Sequence, residues 1–579
     1  MRISNPDVAR VLSLVGDLLE IKGGDEAAKA AAYHRAARSV EHYPVDVATL
    51  HREGRLREIP GVGEALAKKI SELIETGSLA YYDRLAAEVP PGVLEMTRIP
   101  GVGGKTAGLL HRELGLTGVD ELEEAVRSGA LRRLPGFGPK KEGAILRGIA
   151  AVRHRPEGLP LSVARPAALS LAGDLAGLPG VVRAEPAGEV RRWCEWVKAV
   201  EVVAAAEDPA AVVAAVRRLP GVREVVEAAG EPGGGLAVTV LQSTGPAVDV
   251  RLVPPGLFPA VLHHRTGSVG HLAALGRRAE SRGLLLGPGG LGAPGEEPLS
   301  VKSEADLYRH LGLPFIPSEL REGAGEIEAA GEGRLPRLVE LSDIRGDLHV
   351  HSDWSDGTAS LEELARAGQL LGYEYLAVTD HSRSLAMARG LDERRLLAQK
   401  EAIERINQDL EGFRLLAGVE VDILDGGELD LPDSVLAEMD LVIASVHSRL
   451  GQPGDRMTAR LLAAVENPHV DILGHPSGRL IGRREASALD IDAVLEAAAR
   501  TGALLELNSS PERLDLKDVH ARSARDKGCR VALGTDAHSP RYLGDMVYGV
   551  ATARRAWLEP QDLANTRPWP ELSRLLRRA

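Results

Sequence analysis

The pattern of apolar and polar positions changes near residue 343 of the chain. Before about residue 155 it predicts short helices separated by glycine-rich turns. Residues from about 160 to 255 are mixed and include strand-like segments such as Leu236–Leu241 and Ala247–Val253. After residue 343, short apolar strands alternate with helical segments, which is typical of a parallel α/β architecture, most simply a barrel.

Three shorter stretches stand apart from this pattern. Residues 286–300 are rich in glycine and proline and predict a loop, and the polar Ser318–Gly333 predicts a linker. Val197–Val203 alternates as a strand does, with Ala199 and Glu201 at alternate positions. Carboxylates at both positions would share one face and could grip metal ions, so the alanine leaves open whether this strand is a working active site.

The composition predicts a globular protein with several domains. The chain has 579 residues, of which 44% are hydrophobic and 26% are charged, so it is neither disordered nor fibrous. Its net charge of −13 argues against a protein that coats nucleic acid through bulk charge. The charge is uneven, because residues 1–155 hold 23 Lys and Arg against 21 Asp and Glu, whereas residues 341–579 hold 29 against 39.

The cysteines and the N-terminal residues predict a cytoplasmic protein. Cys194 and Cys529 form no close-spaced metal or redox pair, and reduced thiols are the default in the cytosol. The first residues have no basic-then-apolar signal pattern, and no apolar run is long enough to span a bilayer. We therefore expect no membrane partner.

One turn pattern occurs three times before residue 155. The three copies are IPGVGEALAKKI (Ile59–Ile70), IPGVGGKTAGLL (Ile99–Leu110) and LPGFGPKKEGAIL (Leu134–Leu146). Glycines allow a tight turn and the close approach of another chain, and the N–H groups at the following helix start suit a phosphate. This is the helix-hairpin-helix signature, which holds a DNA strand without reading its sequence.

A single hairpin of this kind would equally fit a plain packing element. Three copies, each with a lysine in the next turn or two, favour binding to the DNA backbone. The predicted contact residues are Gly61, Gly63, Lys68, Gly101, Gly103, Lys105, Gly136, Gly138 and Lys140. Lys69 could instead be an amine nucleophile if it is desolvated, although its spacing alone favours a solvated phosphate contact.

The densest group of chemistry-bearing residues begins at GDLHVHSDWSDG, Gly346–Gly357. His349 and His351 alternate on a predicted strand, so both imidazoles point the same way. Candidate ligands follow at the ends of successive predicted strands, where parallel barrels place their chemistry. The full set is His349, His351, Asp356, His381, Glu420, His447, His475, Asp536 and His538.

The size of this set predicts more than one metal ion. One such histidine would be a hydrogen-bonded core residue, but six histidines and three carboxylates at matching strand ends are hard to explain that way. Nine ligands exceed the needs of one tetrahedral ion, so two or three ions are implied, and the mixed N/O set suits Mn²⁺, Zn²⁺ or Fe better than Ca²⁺. Clustered divalent ions suit phosphoester hydrolysis. Arg513, in SSPERLDL, could add a phosphate contact or could be a surface arginine.

These residues resemble a polymerase-and-histidinol-phosphatase (PHP) domain. The resemblance rests on HxH, SDG, TDH, the glutamate of GVEVD, VH, GHP and DAH. It implies that the nine residues are ligands of a trinuclear metal site. It also implies a distorted (β/α)7 barrel with phosphoesterase activity.

The upstream chain resembles the bacterial family X DNA polymerases that carry a PHP domain at the C-terminus. The hairpins, REGAGEIEAA, Thr266–Ser268 (TGS) and RGLLLGPGGL carry this resemblance. The implied multidomain fold comprises a helical helix-hairpin-helix N-terminal domain (1–88), fingers (89–157), an α/β palm (158–255), a thumb (256–320), a linker (321–342) and the PHP barrel (343–579). In the lyase-competent members of this family a Schiff-base lysine follows the first hairpin, and Lys69 matches it. Lys29 and Tyr33 match its phosphate-binding neighbours.

The palm motif keeps the family frame but loses residues that do the chemistry. Family palms resemble GSxRRGxExxxDIDxxV, and this frame is retained at Gly188, Arg191, Arg192, Glu195 and Val197. The first catalytic aspartate is Ala199, the second is Glu201, and the third survives as Asp249. Further departures from the family pattern are Glu189 for a serine, Trp193 for a glycine, His264-Arg265 for an aromatic pair, and Leu272 for an asparagine.

These departures predict weak or absent templated synthesis with Mg²⁺. Two-metal transfer needs carboxylates that hold two ions about 3.5–4 Å apart, and alanine coordinates nothing. Glu201 is one methylene longer than aspartate, which disturbs the rigid octahedron of Mg²⁺. A lost charged contact costs roughly 1.5–3 kcal/mol, and a lost metal bridge should cost more. Mn²⁺, with looser demands, could restore part of the activity, and dNTP binding stays open.

Four hypotheses therefore remain. The favoured one is a DNA-repair enzyme whose PHP domain degrades gapped or nicked DNA, 3′ to 5′, as a monomer associated with the nucleoid. A second is a bifunctional enzyme that fills gaps with Mn²⁺ and also trims DNA. A third is a small-molecule phosphoesterase, for which the hairpins have no use. The fourth is a structural DNA-binding protein, for which the metal ligands have no use.

Overall fold

The computed structural model describes most of the chain. It covers residues 5–576 apart from Pro44, Arg98, Pro100, Pro135, residues 154–157 and Thr244. Two prolines of the predicted hairpins, Pro100 and Pro135, and the predicted domain boundary at residue 157 lie outside the described residues.

The chain divides into two compact units. The first consists of Met1–Gly158, Ala167–Glu185 and Ala204–Pro254. The second consists of Leu159–Pro166, Pro186–Val203 and Pro255–Ala579. Part of the palm-like sequence, residues 186–203, therefore belongs to the same unit as the C-terminal barrel.

The first unit begins with helices joined by short turns. Their bounds are α1 (Asn5–Lys22), α2 (Gly24–His42), α3 (Val47–Arg52), α4 (Glu64–Thr76), α5 (Ala80–Glu88), α6 (Pro91–Met96), α7 (Gly104–Leu114), α8 (Val119–Arg127) and α9 (Pro139–Arg153). Short helices gain most of their stability from packing an apolar face. Here α1 supplies Leu12 and Leu19 and α7 supplies Leu110 to one shared core. This confirms the predicted helical region.

The middle of the chain contains a mixed sheet. Its elements are β1 (Leu159–Pro160), α10 (Leu161–Ala176), β2 (Val181–Pro186), α11 (Gly188–Arg191), β3 (Trp196–Val197), β4 (Val200–Ala206), α12 (Pro209–Val216), β5 (Val222–Glu231), β6 (Gly235–Gln242) and β7 (Val248–Val253). Five of these strands form a sheet in the order β2-β4-β7-β6-β5. The strands predicted at Leu236–Leu241 and Ala247–Val253 are confirmed as β6 and β7.

The strand predicted at Val197–Val203 is interrupted. β3 ends at Val197, where it pairs with β1, and β4 begins only at Val200. Between them, the Lys198 N–H donates to Glu189 Oε2 (3.3 Å). A local side-chain acceptor thus takes a donor that a continuous strand would use in its ladder.

The second unit continues from residue 258 with short helices and a small hairpin. The elements are α13 (Phe258–Thr266), α14 (Val269–Glu280), β8 (Leu285–Gly287), β9 (Gly290–Gly292), α15 (Glu304–His310) and α16 (Glu326–Gly331). The stretch predicted as a loop at residues 286–300 therefore contains an antiparallel pair, β8 with β9.

The polar stretch Ser318–Gly333 differs from the predicted linker because several of its charged side chains are buried and paired. Arg321 is fully buried and donates to Glu304 Oε1 (2.5 Å). Glu326 is also fully buried and lies 2.7 Å from His271 Nδ1. Buried charges persist where they find partners, so polar composition alone did not indicate that this stretch packs.

Residues 346–572 form a parallel barrel. Its elements are β10 (Gly346–Val350), α17 (Leu361–Leu370), β11 (Tyr375–Val378), α18 (Glu393–Asn407), β12 (Arg414–Asp422), α19 (Asp433–Leu436), β13 (Leu441–Ser445), α20 (Gly454–Glu466), β14 (Ile472–Leu473), α21 (Ile491–Thr501), β15 (Leu504–Asn508), α22 (Asp518–Asp526), β16 (Val531–Gly534), α23 (Met546–Arg555) and α24 (Trp569–Leu572). The seven strands follow one another in chain order, and all neighbours are parallel.

The barrel closes next to its first and last strands. The His351 N–H donates to the Ala537 carbonyl (2.9 Å), and the Asp536 N–H donates to the His349 carbonyl (2.9 Å). The strands are buried on both faces, as expected when helices cover a parallel sheet. The predicted distorted (β/α)7 barrel is confirmed. In the described parts of the chain, no helix has both the length and the apolar character needed to cross a bilayer.

Candidate metal centre

The C-terminal rim of the barrel carries all nine candidate ligands. β10 contains His349, and His351 follows directly, with the two ring centroids 5.1 Å apart. Glu420 lies on β12, and the other candidates lie in the loops that follow β10, β11, β13, β14 and β16. The side chains converge because the carboxyl ends of parallel strands meet at one rim.

Eight of the candidates form three overlapping groups in which the ligand atoms lie within 4.8 Å of one another. The groups are His351, Asp356, His381 and His538; His349, His351 and Asp536; and His381, Glu420 and His447. The ninth candidate, His475, places Nε2 3.0 Å from Glu420 Oε1. The structure thus brings together every ligand that the sequence predicted.

Glu420 occupies the middle of this cluster. Its Oε2 lies 2.8 Å from His381 Nδ1, and its Oε1 lies 3.3 Å from His447 Nε2. The Glu420 side chain has no solvent exposure. One buried carboxylate therefore faces imidazoles from three different strand ends.

The hydrogen bonding of the cluster fits bound cations. Among the described residues, several buried polar atoms of the cluster make no hydrogen bond: His349 Nε2, His351 Nδ1, His475 Nδ1, and the close pair His381 Nδ1 and Glu420 Oε2, whose 2.8 Å approach lacks hydrogen-bond geometry. Buried polar atoms in folded proteins nearly always have a partner, so orphaned nitrogens and a carboxylate oxygen in one place indicate a missing binding group. Imidazole nitrogen and carboxylate oxygen are the donors that Zn²⁺, Mn²⁺ and Fe accept.

The electrostatics of the cluster keep its carboxylates ionised and one imidazole neutral. Burial by itself would raise the pKa of Glu420, but the charges of His447, His381 and His349 lower it well below the usual range. Burial, together with the neighbouring His538 and His381, lowers the pKa of His351 to about 3. Although burial opposes it, the neighbouring carboxylates raise the pKa of His447 to about 10 and that of His538 to about 9. Metal ions bind neutral imidazoles, so binding here would release protons from these histidines.

A second set of polar residues contacts these candidate ligands, and sequence reasoning did not identify it. Glu506 Oε1 lies 2.6 Å from His349 Nδ1, and Asp422 Oδ1 lies 2.8 Å from His447 Nδ1. Asn508 Nδ2 donates to Asp536 Oδ2 (3.2 Å). Such partners fix the ring orientation of a ligating histidine. The available signal was strand alternation, since Asp422 follows Glu420 by two residues and Glu506 and Asn508 alternate on β15.

Arg513 lies at the same rim. Its Nε is 3.2 Å from Asp536 Oδ2, and its side chain is 19% exposed. Of the two sequence interpretations, the position beside a candidate ligand favours the phosphate contact over a surface arginine.

The palm-like residues are held by other contacts. Glu201 Oε1 lies 3.5 Å from Arg265 Nη1. Its Oε2 lies so close to Gly188 that a Cβ added there would meet it at 2.6 Å. Asp249, on β7 of the first unit, accepts a hydrogen bond from Thr239 Oγ1 (2.6 Å).

Trp193 occupies a position where the family pattern has a glycine. Its backbone conformation explains why a glycine is usual there. Its φ is 59°, in the left-handed region that favours glycine. The ring packs against the Arg165 guanidinium, 3.5 Å from the ring centroid, and edge-on against Tyr548. These contacts hold a bulky residue in a conformation it seldom adopts.

The three hairpins share one geometry. In each, the first glycine has a positive φ: 82° at Gly61, 88° at Gly101 and 81° at Gly136. The apolar residue after it is buried, which turns the glycine backbone outward. Those residues are Val62, Val102 and Phe137.

The second glycine of each hairpin precedes the first helical residue of α4, α7 or α9. A Cβ added at Gly63, Gly103 or Gly138 would meet nothing within 4 Å. The open backbone and the helix start match the predicted phosphate contacts. The hairpin lysines are exposed: Lys68, Lys105 and Lys140.

Lys69 is half-buried beside an aromatic ring. Its Nζ lies 4.9 Å from the centroid of Tyr81, and the ring of Tyr81 stacks on that of Tyr33 at 6.1 Å. The structure therefore places Lys69 and Tyr33 next to the same ring, while Lys29 is exposed on α2.

Comparisons with family models assign most of the chain. A helix-hairpin-helix domain model matches residues 3–79, and a SAM-like helix-hairpin-helix tandem model matches residues 93–151. A DNA polymerase beta thumb model matches residues 261–322, and a PHP domain model matches residues 347–510. These domains define a polymerase-type enzyme with a PHP domain, and its helix-hairpin-helix and thumb domains imply DNA binding.

Curated relatives narrow this class. The chain is 38% identical over 573 residues to "DNA polymerase/3'-5' exonuclease PolX" of Bacillus subtilis (strain 168), covering 99% of each chain. It is 31% identical over 234 residues to a "Probable phosphatase" of Thermoanaerobacter sp. (strain X514), covering 38% of this chain and 89% of that protein. The chain therefore belongs to the bacterial PolX family of DNA polymerases that carry a PHP domain.

Proposed function

We propose that this protein is a DNA-repair enzyme whose PHP centre hydrolyses DNA phosphodiester bonds, and that templated synthesis by its palm is weak or lost. The observation that carries the proposal is the convergence of nine candidate imidazole and carboxylate ligands, most of them buried, at one barrel rim. The PolX relative named above is called a 3′-5′ exonuclease, which supports hydrolysis from a 3′ end.

The exposure of the ligands supports one direction of substrate approach. The side chains of Asp356 and His538 are 33% and 30% exposed, whereas those of His349 and Glu420 have no exposure. A phosphodiester would enter on the side of Asp356 and His538. Arg513, next to Asp536, would bind the phosphate through its guanidinium.

The nine ligands would hold two or three divalent ions, Mn²⁺, Zn²⁺ or Fe. Bound ions of this kind activate a water molecule and neutralise phosphoryl oxygens. The chain keeps the ligands in place through Glu506 and Asp422, which orient His349 and His447. The buried walls around Glu420 exclude bulk water, which strengthens each electrostatic contact.

Weak synthesis is supported by the contacts of the palm-like residues. Ala199 offers no ligand, and the Glu201 carboxylate is neutralised by Arg265. Glu189 places a negative charge where a serine would contact the triphosphate of a nucleotide. Mg²⁺ or Mn²⁺ would therefore bind poorly there.

The N-terminal hairpins would hold gapped or nicked DNA without sequence preference. Lys69 lies over the Tyr81 ring in a cation–π arrangement, which favours a phosphate contact, and lyase chemistry at an abasic site is its alternative role. The predicted domain boundaries, monomeric state and cytoplasmic, nucleoid-associated location belong to the same proposal.

One experiment tests the central claim. End-labelled gapped DNA is incubated with Mn²⁺, with and without dNTPs, using wild type, His349→Ala and Asp249→Ala. We expect degradation by wild type and Asp249→Ala, and none by His349→Ala. Degradation that survives His349→Ala would exclude the PHP centre as the nuclease.

A bifunctional enzyme is the second candidate, since Asp249 is intact and the PolX relative is called a DNA polymerase. Extension by wild type that disappears in Asp249→Ala would favour it. A small-molecule phosphoesterase is the third, because relatives of the barrel are called phosphatases. Hydrolysis of a free phosphomonoester with no degradation of DNA would favour the small-molecule phosphoesterase.

A further inference from the structure

Glu195, in the segment that resembles the polymerase motif, lies against two loops of the barrel. Arg479, in the loop after β14, donates from Nη1 to Glu195 Oε1 (3.2 Å) and from Nη2 to Glu195 Oε2 (2.8 Å). Lys517, which ends the loop after β15, places Nζ 3.3 Å from Glu195 Oε1. The side chains of Arg479 and Glu195 are 12% and 26% exposed, so this two-pronged pair is partly shielded from solvent.

The pair connects to the metal-centre arginine through one carbonyl group. Arg479 Nη2 also donates to the Leu514 carbonyl. Leu514 follows Arg513, whose Nε lies 3.2 Å from Asp536 Oδ2. The same peptide turn is fixed on its other side, where the Asn508 N–H donates to the Asp515 carbonyl (2.6 Å).

Arg479 has few other contacts to hold it. Its Nε is buried and has no hydrogen-bond partner among the described residues. Without the Glu195 carboxylate, the guanidinium would keep the Leu514 carbonyl and the nearby charge of Asp515 but lose both of its side-chain hydrogen bonds. Buried N–H groups left without acceptors turn toward water, so the guanidinium would rotate away from Leu514.

We propose that Glu195 is a positioning residue for the PHP reaction: it fixes Arg479, Arg479 fixes the Leu514 carbonyl, and the turn then holds Arg513 beside Asp536. The inference rests on the proposed nuclease function. The retained polymerase frame would thus serve the hydrolytic centre, even where its own carboxylates are missing.

A double-mutant cycle tests this connection. DNA degradation with Mn²⁺ is measured for wild type, Glu195→Gln, Arg513→Ala and the double variant, with kcat and KM determined separately. We expect Glu195→Gln to lower kcat about tenfold in the wild-type background and to have no further effect when Arg513 is alanine. Equal losses in both backgrounds, or no loss in wild type, would overturn the inference.

Two further measurements separate positioning from stability. Hydrogen exchange should accelerate at the Leu514 and Leu516 amides in Glu195→Gln, because their turn loosens. The matched control is Glu319→Gln, which breaks a shielded pair with Arg554 (2.7 Å) in the same unit but away from this turn. The control should lower the melting temperature and leave kcat and those amides unchanged. Unchanged exchange in Glu195→Gln would count against the proposal.

Two alternatives keep the outcome interpretable. If Glu195→Gln does not fold, Arg479→Lys repeats the cycle, because lysine keeps the charge and loses the two-pronged geometry. If wild type degrades no DNA, the proposed function fails, and altered exchange at Leu514 still decides whether Glu195 positions the turn. If wild type is active and Arg513→Ala is fully active, only the inference about Arg513 fails.

Discussion

The barrel centre and residues 186–203 lie in the same unit, and family resemblance assigns metal-binding carboxylates to both. In the barrel, Glu420 is buried among imidazoles that have orphaned nitrogens. In the palm-like segment, Glu201 faces Arg265, and Arg191 donates to Glu304. A glutamate is therefore available to a metal ion in the barrel and is paired with an arginine in the palm-like segment. A carboxylate facing unpaired ligand atoms is available to a cation, whereas one facing an arginine is already neutralised.

The largest expected effect is at the middle of the barrel centre. Glu420→Gln should remove metal binding and lower DNA degradation by more than about 100-fold, since even outer partners of metal ligands are worth about 10–100-fold. Metal content and the rate of degradation measure both effects. Glu438→Gln, in an exposed pair with Lys400, is the control and should behave as wild type. An active, metal-loaded Glu420→Gln would contradict the claim that Glu420, unlike Glu201, is needed to bind a metal ion.

The second-largest effect is expected on the free energy of unfolding, at Glu304, which pairs with an arginine of the palm frame. Glu304→Gln would remove the carboxylate that pairs with the fully buried Arg321 and the shielded Arg191. Breaking a buried pair in this way costs about 3–5 kcal/mol, measured as the free energy of unfolding in denaturant. Exposed Glu332→Gln, which pairs with Arg334, should cost less than about 1 kcal/mol. A loss as small as that in Glu304→Gln would contradict a structural role.

The same carboxylate predicts a pH dependence of stability. Burial would raise the pKa of Glu304, but hydrogen bonds and charges from Arg191 and Arg321 lower it to about 2. A lowered folded-state pKa stabilises the fold above the unfolded pKa, near 4.5. This contribution should decline as the pH falls from 4.5 towards 2. Glu304→Gln should flatten that part of the curve of unfolding free energy against pH, and an unchanged slope would refute this assignment.

A smaller effect is expected one layer outside the centre. Glu506→Gln keeps the size of the side chain but removes the charge that faces His349 Nδ1. Metal affinity should fall about 10–100-fold, measured by titration with Mn²⁺. Glu496→Gln, in an exposed pair with Lys527, is the matched control. Equal affinities in both variants would mean that Glu506 does not orient the ligand.

The smallest expected effect is a gain in the palm. Ala199→Asp combined with Glu201→Asp should raise Mg²⁺-dependent primer extension about tenfold, since a charged contact is worth about 1.5–3 kcal/mol. Lys198→Asp adds a carboxylate at the neighbouring, exposed position and should not raise extension. Efficient extension by wild type would instead show that Asp249 and Glu201 suffice.

The candidate metal ligands could be predicted because strand periodicity places them. His349 and His351 alternate on one strand, and the other candidates follow apolar runs that end at the same rim. The partners Glu506 and Asp422 were missed because the position of a carboxylate on its own strand carries no sign of which ring it faces. That choice depends on the position of the neighbouring strand.

The buried charges of Ser318–Gly333 show the same difference between what local sequence predicts and what distant partners decide. Glycine and glutamate content predicted a linker, whereas Arg321 and Glu326 are fully buried. Local composition cannot report partners such as Glu304 and His271, which come from elsewhere in the chain.

The sequence by itself determined the hairpins, the order of the barrel strands and the loss of the first palm carboxylate at Ala199, because each depends on local spacing or on residue identity. Only the tertiary structure decided what the retained palm residues contact. Glu195 meets Arg479 across 284 positions of sequence, and Arg191 meets Glu304 across 113. Such pairs form only when folding brings distant segments together. Electrostatic attraction depends on the separation of two charges in space, which their separation along the sequence does not determine.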